Sequence, residues 1–263
     1  DGIGHMYTPA IVNPPTPHYS YILRQADNVL ILGQRLSEWC GHGPILEQDI
    51  ALTNFALDLI GQARSLYQYA AEVEGKGRSE DDLAYLRDGF DFYNVLLVEL
   101  PKGDFGHTMT RQFFFDAYNY YFYQQLQKSS DPTLAAIAEK SIKEVTYHLR
   151  YSSEWMIRLG DGTEESHRRM QTAVDALWAY TGELYTPDAI DQELLAAGIA
   201  VDLGRLQQHW QQRVREILTA ATLDIPTETW MQKGGKQGRH TEHLGYVLAE
   251  MQYLQRTYPN SEW

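Results

Sequence analysis

The sequence predicts an all-α protein, organised as a four-helix bundle elaborated with additional C-terminal helices. From about Tyr21 onward, long segments repeat apolar residues with the period of an α-helix, and almost no segment alternates as a strand does. The loops between these segments are short, which favours antiparallel neighbours. Two of the segments are apolar on nearly every side, as expected for helices at the centre of a core.

Each predicted helix in the first half of the chain ends at a recognisable break. The first, at about 20–40, stops at CGHGP, where two glycines and a proline interrupt it. The second, at about 45–73, ends before EGKGRSEDD, and the third, at about 79–99, closes at LPKGD. The fourth helix covers about 106–128.

The second half begins with SSDP, in which Asp131 caps the fifth helix and Pro132 occupies its first turn. This helix continues to LGDG, near 159–162. The remaining predicted helices lie at about 164–183, in a short piece at YTPDAID, at about 202–222 and at Thr241–Thr257.

The N-terminal residues are predicted to lie outside the bundle. DGIGHM resembles an expression-vector remnant ending at Met6, and four prolines in the following YTPAIVNPPTPHYS predict an extended lead-in. The rest of the chain contains no internal repeat and no low-complexity linker. Residues 21–263 are therefore predicted to form a single helical domain after a lead-in of residues 1–20.

Composition limits the possible partners. A formal net charge of −13 disfavours nucleic acid. No run approaches the roughly 20 apolar residues that span a bilayer, so a membrane is not expected as a partner either. The single cysteine, Cys40, excludes an internal disulfide framework and fits a reducing cytosol. With no recognisable signal sequence, the chain is predicted to be cytoplasmic.

Acidic residues on four of the predicted helices indicate a candidate metal site. Di-iron carboxylate bundles use one Glu from each of two helices and a Glu-x-x-His pair from each of the other two. The candidate ligands are Glu38, Asp58, Asp116, and Glu144 with His148. Asp116 stands among aromatic residues in FFFDAYNYYFY and needs a partner, because an unpaired buried charge is costly.

The metal-binding pattern is incomplete on two of these helices. Three residues before His148, where the motif requires Glu, the chain has Val145. In LDLIGQA on the second helix, the possible ligand registers offer Leu59 or Gln62 but no histidine. These positions are therefore interpreted as degenerate ligand positions in a metal-free polar core.

Ordinary structural roles remain open for the same acids. Glu144 and His148, four residues apart on one helix, can form an ion pair worth a few tenths of a kcal/mol. Without a metal, the basic side chains expected to neutralise the acids are Arg35, Arg64 and His148. Glu38 can pair with Arg35 three residues before it, and Asp58 can bond to Asn54 or Gln62 on a narrow polar stripe.

The segment MQKGGKQGRHTEH, residues 231–243, is a second candidate site. Lys233, Lys236 and Arg239, together with the amides of the glycine-rich loop, can contact an anion or an acidic partner surface. A solvated turn ahead of the last helix is at least as good an interpretation.

Several segments carry a family resemblance that spans essentially the whole chain after residue 20. They are LGQRLSEWCGHGPILEQDIAL, LDLIGQAR, KEVTYHLR, GIAVD and GGKQGRHTEHLGYVLAEMQYLQR. These segments resemble the PaaC family, the C subunits of the bacterial phenylacetyl-CoA epoxidase. The resemblance implies a ferritin-like bundle related to the catalytic A subunit. It also implies that Glu38, Asp116 and His148 fall on ligand positions and that Val145 replaces a ligand Glu.

The resemblance further implies a role in aerobic phenylacetate degradation. The chain would be a non-catalytic scaffold that binds the di-iron A subunit, with a small B subunit joining the two. A reductase subunit with flavin and iron–sulfur groups would contact the complex transiently and bring electrons from NADPH. No cofactor is expected in this chain, and a homodimer of the isolated chain is left open. The alternative is an active di-iron or di-manganese oxidase or oxygenase.

Overall fold

The computed structural model describes residues 14–227 and 229–261, and it confirms the all-α class. Within these residues the chain forms α-helices and short 3₁₀ helices without a strand, and no helix is long and apolar enough to cross a membrane. The α-helices are α1 Pro17–Ser37, α2 Leu46–Glu74, α3 Glu80–Tyr85, α4 Leu96–Glu99, α5 Phe105–Leu126, α6 Pro132–Gly160, α7 Glu164–Leu177, α8 Ala189–Ala196, α9 Leu203–Ala220 and α10 Glu242–Thr257.

Four long helices form the central bundle. α1 packs along α2, α5 packs along α6, and α2 meets α6 to join the two pairs. Gly33 permits the close approach of α1 to α2, because a Cβ added there would lie 3.0 Å from Ile60. α7 and α9 pack against α5, while α10 packs against α3, α4 and α1. Apolar side chains from α1 through α10 contribute to one core.

The first helix begins earlier than predicted. Thr16 caps α1 by accepting a hydrogen bond from the backbone N–H of Tyr19 at 3.2 Å. Pro17 occupies the first turn, where its missing N–H has no helical partner in any case. Residues 17–20 therefore belong to α1 and not to the lead-in. Residues 1–13, with the predicted vector remnant, lie outside the described residues.

The prediction of one helix over residues 79–99 is wrong. α3 and α4 are separate short helices with a 3₁₀ turn between them. Polar side chains of α1 hold the intervening backbone: Asp27 accepts a hydrogen bond from Tyr93 N at 2.9 Å, and Asn28 accepts one from Val95 N at 2.8 Å. These long-range bonds satisfy buried polar groups that a continuous helix would leave unpaired.

The predicted sixth helix, at about 164–183, also ends early. α7 stops at Leu177 and two 3₁₀ turns follow. Gly182, in the second turn, lies so close to Met231 that an added Cβ would be 2.7 Å from that side chain. The 231–243 segment therefore packs on the chain just where the α-helix gives way to 3₁₀ turns.

Candidate functional site

His148 of α6 and Asp58 of α2 form one pair between these two bundle helices, and Asp58 is partly exposed. The His148 ring is fully buried, and its Nε2 donates to Asp58 Oδ2 at 2.8 Å. The ring also lies against Phe55, with centroids 4.2 Å apart. The Nδ1 atom of His148 has no hydrogen-bond partner among the described residues. Asp58 is therefore bonded to His148, and not to Asn54 or Gln62 as the sequence suggested.

Asp116 of α5 is the most deeply buried of the candidate acids, with 1% of its surface exposed. Gln112 Nε2 donates to its Oδ1 at 2.6 Å, and Ser152 Oγ of α6 donates to its Oδ2 at 2.7 Å. Burial raises the pKa of Asp116 to about 6, although His148 and the two hydrogen bonds act in the opposite direction. A neutral carboxyl group is thus easily reached in this core.

A chain of hydrogen bonds between amide side chains crosses the bundle beside these acids. Gln62 of α2 donates to Glu144 of α6 at 3.0 Å, and Asn119 of α5 donates to Gln62 at 3.5 Å. Gln25 of α1 completes the chain by donating to Asn119 at 2.7 Å. Burial raises the pKa of Glu144; the charge of Asp58 adds to this effect, and the bond from Gln62 opposes it. All four central helices therefore contribute to this chain, which we call the amide chain.

Glu38 is not brought into this arrangement. It stands at the C-terminal cap of α1 and accepts a hydrogen bond from Arg35 Nη1 at 2.8 Å. Gln25, the α1 residue at the bundle centre, lies 13 positions earlier, or roughly 20 Å along the helix. Sequence reasoning missed Gln25, although the polar run RQADN within an otherwise apolar helix was a signal for it. Arg64, another predicted neutralising residue, instead pairs with Glu80 at 3.1 Å on the surface.

The glycine-rich 231–243 segment holds an internal anion. The backbone N–H groups of Gly234 and Lys236 donate to Oε2 of Glu183, at 2.9 and 3.4 Å, and Glu183 is only 3% exposed. Gly235 is packed so closely that an added Cβ would lie 2.2 Å from the carbonyl oxygen of Asn94. The loop amides are therefore already used by the chain itself.

The basic residues of this segment do not act together. Lys236 points inward: its Nζ donates to the Thr186 carbonyl at 3.1 Å and lies 3.9 Å from Asp191. Burial lowers the pKa of Lys236, and the charge of Asp191 opposes that shift. Lys233 and Arg239 remain exposed. Of the predicted anion-contacting set, only these last two are open to solvent.

His240, in the same segment, bridges two acceptors. Its Nδ1 lies 2.7 Å from Glu99 Oε1, and its Nε2 lies 2.6 Å from the carbonyl oxygen of Phe92. Both ring nitrogens must carry a proton to donate to both oxygens, as only the imidazolium does. Burial acts to lower the pKa of His240, but the hydrogen bonds and the Glu99 charge leave it raised above its usual 6.5.

The His240→Gln substitution is expected to destabilise the protein in a pH-dependent way. A raised folded-state pKa means that protonated His240 stabilises fully below about pH 6.5 and loses this contribution as the pH rises through the folded-state pKa. Chemical unfolding near pH 6 and near pH 9 should therefore show a larger loss at the lower pH. An equal loss at both pH values would contradict a charged His240.

Comparison with known proteins decides the family. A family model described as phenylacetic acid catabolic protein, PaaA_PaaC, matches residues 10–263. The chain belongs to the phenylacetic acid catabolic protein family. It is also 52% identical, over 244 residues, to the C subunit of the 1,2-phenylacetyl-CoA epoxidase of Escherichia coli strain K12; the alignment covers 93% of this chain and 98% of that protein. The PaaC resemblance predicted from the sequence segments is thereby confirmed.

A di-iron centre, which the sequence resemblance implies for the related A subunit, does not fit the residues of this chain. Leu59 and Val145 are completely buried and have no atom that can bind a metal. The Gln62 amide is engaged in the amide chain. Across residues 14–227 and 229–261, no group of three or more His, Cys, Asp or Glu side chains is arranged to hold a metal ion.

Proposed function

We propose that the chain is a non-catalytic structural subunit of a phenylacetyl-CoA epoxidase and that it binds and supports the catalytic di-iron A subunit. Its 52% identity to the C subunit of an enzyme of this name supports membership of such a complex. The observation that carries the non-catalytic role is Val145, fully buried where a Glu-x-x-His motif requires a carboxylate.

The hydrogen bonds of the bundle centre support a structural role. Asp58 is engaged with His148, Asp116 with Ser152, and Glu144 with Gln62, so each acid ties two helices together. Polar side chains that hydrogen-bond between helices of a core favour one arrangement of those helices. A rigid bundle of this kind suits a subunit that presents a fixed surface to a partner.

The proposal assigns the chemistry to other subunits. Oxygen activation and epoxidation would take place on the A subunit, with the B subunit bridging and the NADPH-dependent reductase, carrying flavin and iron–sulfur groups, binding transiently. The complex would act in the cytoplasm in aerobic phenylacetate degradation. This chain would contribute contacts and no cofactor.

Metal analysis of the purified chain tests the non-catalytic role. After anaerobic reconstitution with ferrous iron and removal of loosely bound metal, we expect well under one iron per chain for the natural sequence and for His148→Gln alike. Two tightly bound irons per chain that are lost in His148→Gln would overturn the proposal. That result would favour the alternative oxidase or oxygenase, with Glu38, Asp58, Asp116, Glu144 and His148 as its candidate ligands.

Co-expression with an A subunit tests the partner. A tagged A subunit is expected to retain this chain through affinity purification and gel filtration at a constant ratio. A chain that elutes separately, while remaining folded by circular dichroism, would contradict the scaffold role whatever its iron content.

A further inference from the structure

The outer face of α2 carries large apolar side chains that are exposed to solvent. Leu46, Ile50 and Leu57 have 73%, 51% and 63% of their surface exposed. Large apolar side chains exposed on one face of a helix mark an interaction site more often than single exposed residues do. The face runs along the bundle helix for several turns, so it is straight and suited to contact with another helix.

The exposed positions on this face form a symmetric pattern. They recur every three or four residues, which places them on one stripe of the helix. The residues between the two charged ends are uncharged. In order the stripe, here named the α2 ridge, consists of Glu47, Ile50, Asn54, Leu57, Gly61 and Arg64.

We propose that the α2 ridge binds the α2 ridge of a second copy of this chain, with the two helices antiparallel across a two-fold axis. A two-fold interface requires a surface that is complementary to itself. When the ridge is reversed about a point between Asn54 and Leu57, Ile50 lies at the level of Gly61. The charged ends are complementary as well, because Glu47 of one copy then lies at the level of Arg64 of the other.

Steric and electrostatic details favour this pairing. A Cβ built on Gly61 has nothing within 4 Å, so the position is an open notch on the helix surface that can receive Ile50 of the other copy. Arg64 contacts Glu80 through its Nε atom, and its side chain is 70% exposed. Its other N–H groups are free to meet Glu47 at the rim of the interface.

A cavity beside the ridge gives an independent argument. It has a volume of about 260 Å³ and lies between α2 and α3, lined by Ile60, Ala63, Tyr67 and Tyr85 together with the charged Arg64, Glu80 and Asp81. In the antiparallel arrangement, Leu46 of the other copy lies at the level of this cavity. The most exposed apolar side chain of α2 thus lies at a recess that offers it apolar and aromatic side chains, with the Arg64–Glu80 ion pair at the same recess.

Two glycine substitutions make a matched test on the full-length chain purified alone. Gly61→Arg fills the notch, whereas Gly245→Arg places the same side chain on α10, where an added Cβ is equally unobstructed. We expect sedimentation equilibrium to show dimers for the natural sequence and for Gly245→Arg, and loss of the dimer for Gly61→Arg. Circular dichroism and thermal unfolding should show all three chains folded.

A cysteine pair tests the register. In a Cys40→Ser background, Ile50→Cys with Gly61→Cys is expected to give a covalent dimer on mild oxidation. The two positions lie roughly 16 Å apart on one helix, too far for a disulfide within a chain.

Three results would overturn the proposal: a monomeric natural sequence, a dimeric Gly61→Arg variant, or failure of the cysteine pair to cross-link. If the chain is monomeric alone and Gly61→Arg abolishes co-purification with the A subunit, the ridge belongs to that partner and not to a second copy. Neither the iron content nor partner binding by the natural sequence depends on this outcome, so the proposed function is tested separately.

Discussion

The Arg87→Met substitution is expected to lower the free energy of unfolding by about 3–5 kcal/mol, because it leaves the buried charge of Asp27 without its cation. Asp27 is completely buried and accepts hydrogen bonds from Tyr67 at 2.5 Å, from Tyr93 N at 2.9 Å, and from both terminal nitrogens of Arg87. Burial acts to lower the pKa of Arg87, but the Asp27 charge more than compensates and leaves it raised. Urea unfolding at neutral pH measures the loss.

The double variant Asp27→Asn with Arg87→Met is the control for this prediction. With both charges removed, part of the stability should return, although the carbonyl oxygens of Leu83 and Asp91 still lose the donors that Arg87 supplies. A double-mutant cycle gives the interaction free energy between the two side chains. A loss under about 1 kcal/mol in Arg87→Met alone, the range of an exposed ion pair, would contradict the prediction.

The Asp116→Asn substitution is expected to stabilise the protein at neutral pH by up to about 3 kcal/mol. The pKa of Asp116 is raised from its usual 3.8 to about 6. The folded state therefore holds the proton more tightly, and stability falls as the pH rises from about 4 to above 6. At about 1.4 kcal/mol per pH unit, the ionised group costs about 3 kcal/mol above that range. Chemical unfolding of both chains near pH 4 and pH 7.5 gives the comparison.

Ser152→Ala is expected to change stability in the opposite direction to Asp116→Asn. It removes the hydroxyl group that donates to Asp116 Oδ2, so ionisation becomes still less favourable. The destabilisation by Ser152→Ala should be larger near pH 7.5 than near pH 4. If Asp116→Asn weakened the protein equally at both pH values, ionisation of Asp116 would have no cost in the folded state, and the prediction would be wrong.

Local sequence patterns predicted most of the fold. Apolar periodicity located α1, α2, α5 and α6, and the cap at Asp131 placed the start of α6 correctly. The break between α3 and α4 was not predictable in this way. It depends on Asp27 and Asn28, more than 60 positions earlier, whose side chains take the backbone N–H groups of Tyr93 and Val95. Such long-range bonds leave no trace in the periodicity of the segment that they reshape.

In the candidate site, the sequence predicted the side chains whose orientation depends on burial alone. Asp116 and His148 face the centre, as their apolar neighbours indicated. Glu38 does not reach the centre, because it is the C-cap residue of α1, where it pairs with Arg35 as the structural alternative predicted. For Lys236, the basic glycine-rich loop suggested contact with an external anion. In the structure the loop amides instead bind the carboxylate of Glu183, about 50 residues earlier in the same chain.

The amide chain has a direction. Gln25 donates to Asn119, Asn119 to Gln62, and Gln62 to Glu144, so every donor points towards α6. An amide can exchange its two ends only if its neighbours exchange theirs, and the Glu144 carboxylate, which accepts and does not donate while ionised, fixes the sense of the row at its α6 end. At the α1 end, Asn28 accepts the Val95 N–H through its Oδ1 at 2.8 Å and donates to Gln25 Oε1 at 3.4 Å, which requires the same sense. A carboxylate on one helix and a backbone N–H beside another thereby set a single polarity for side chains across all four central helices.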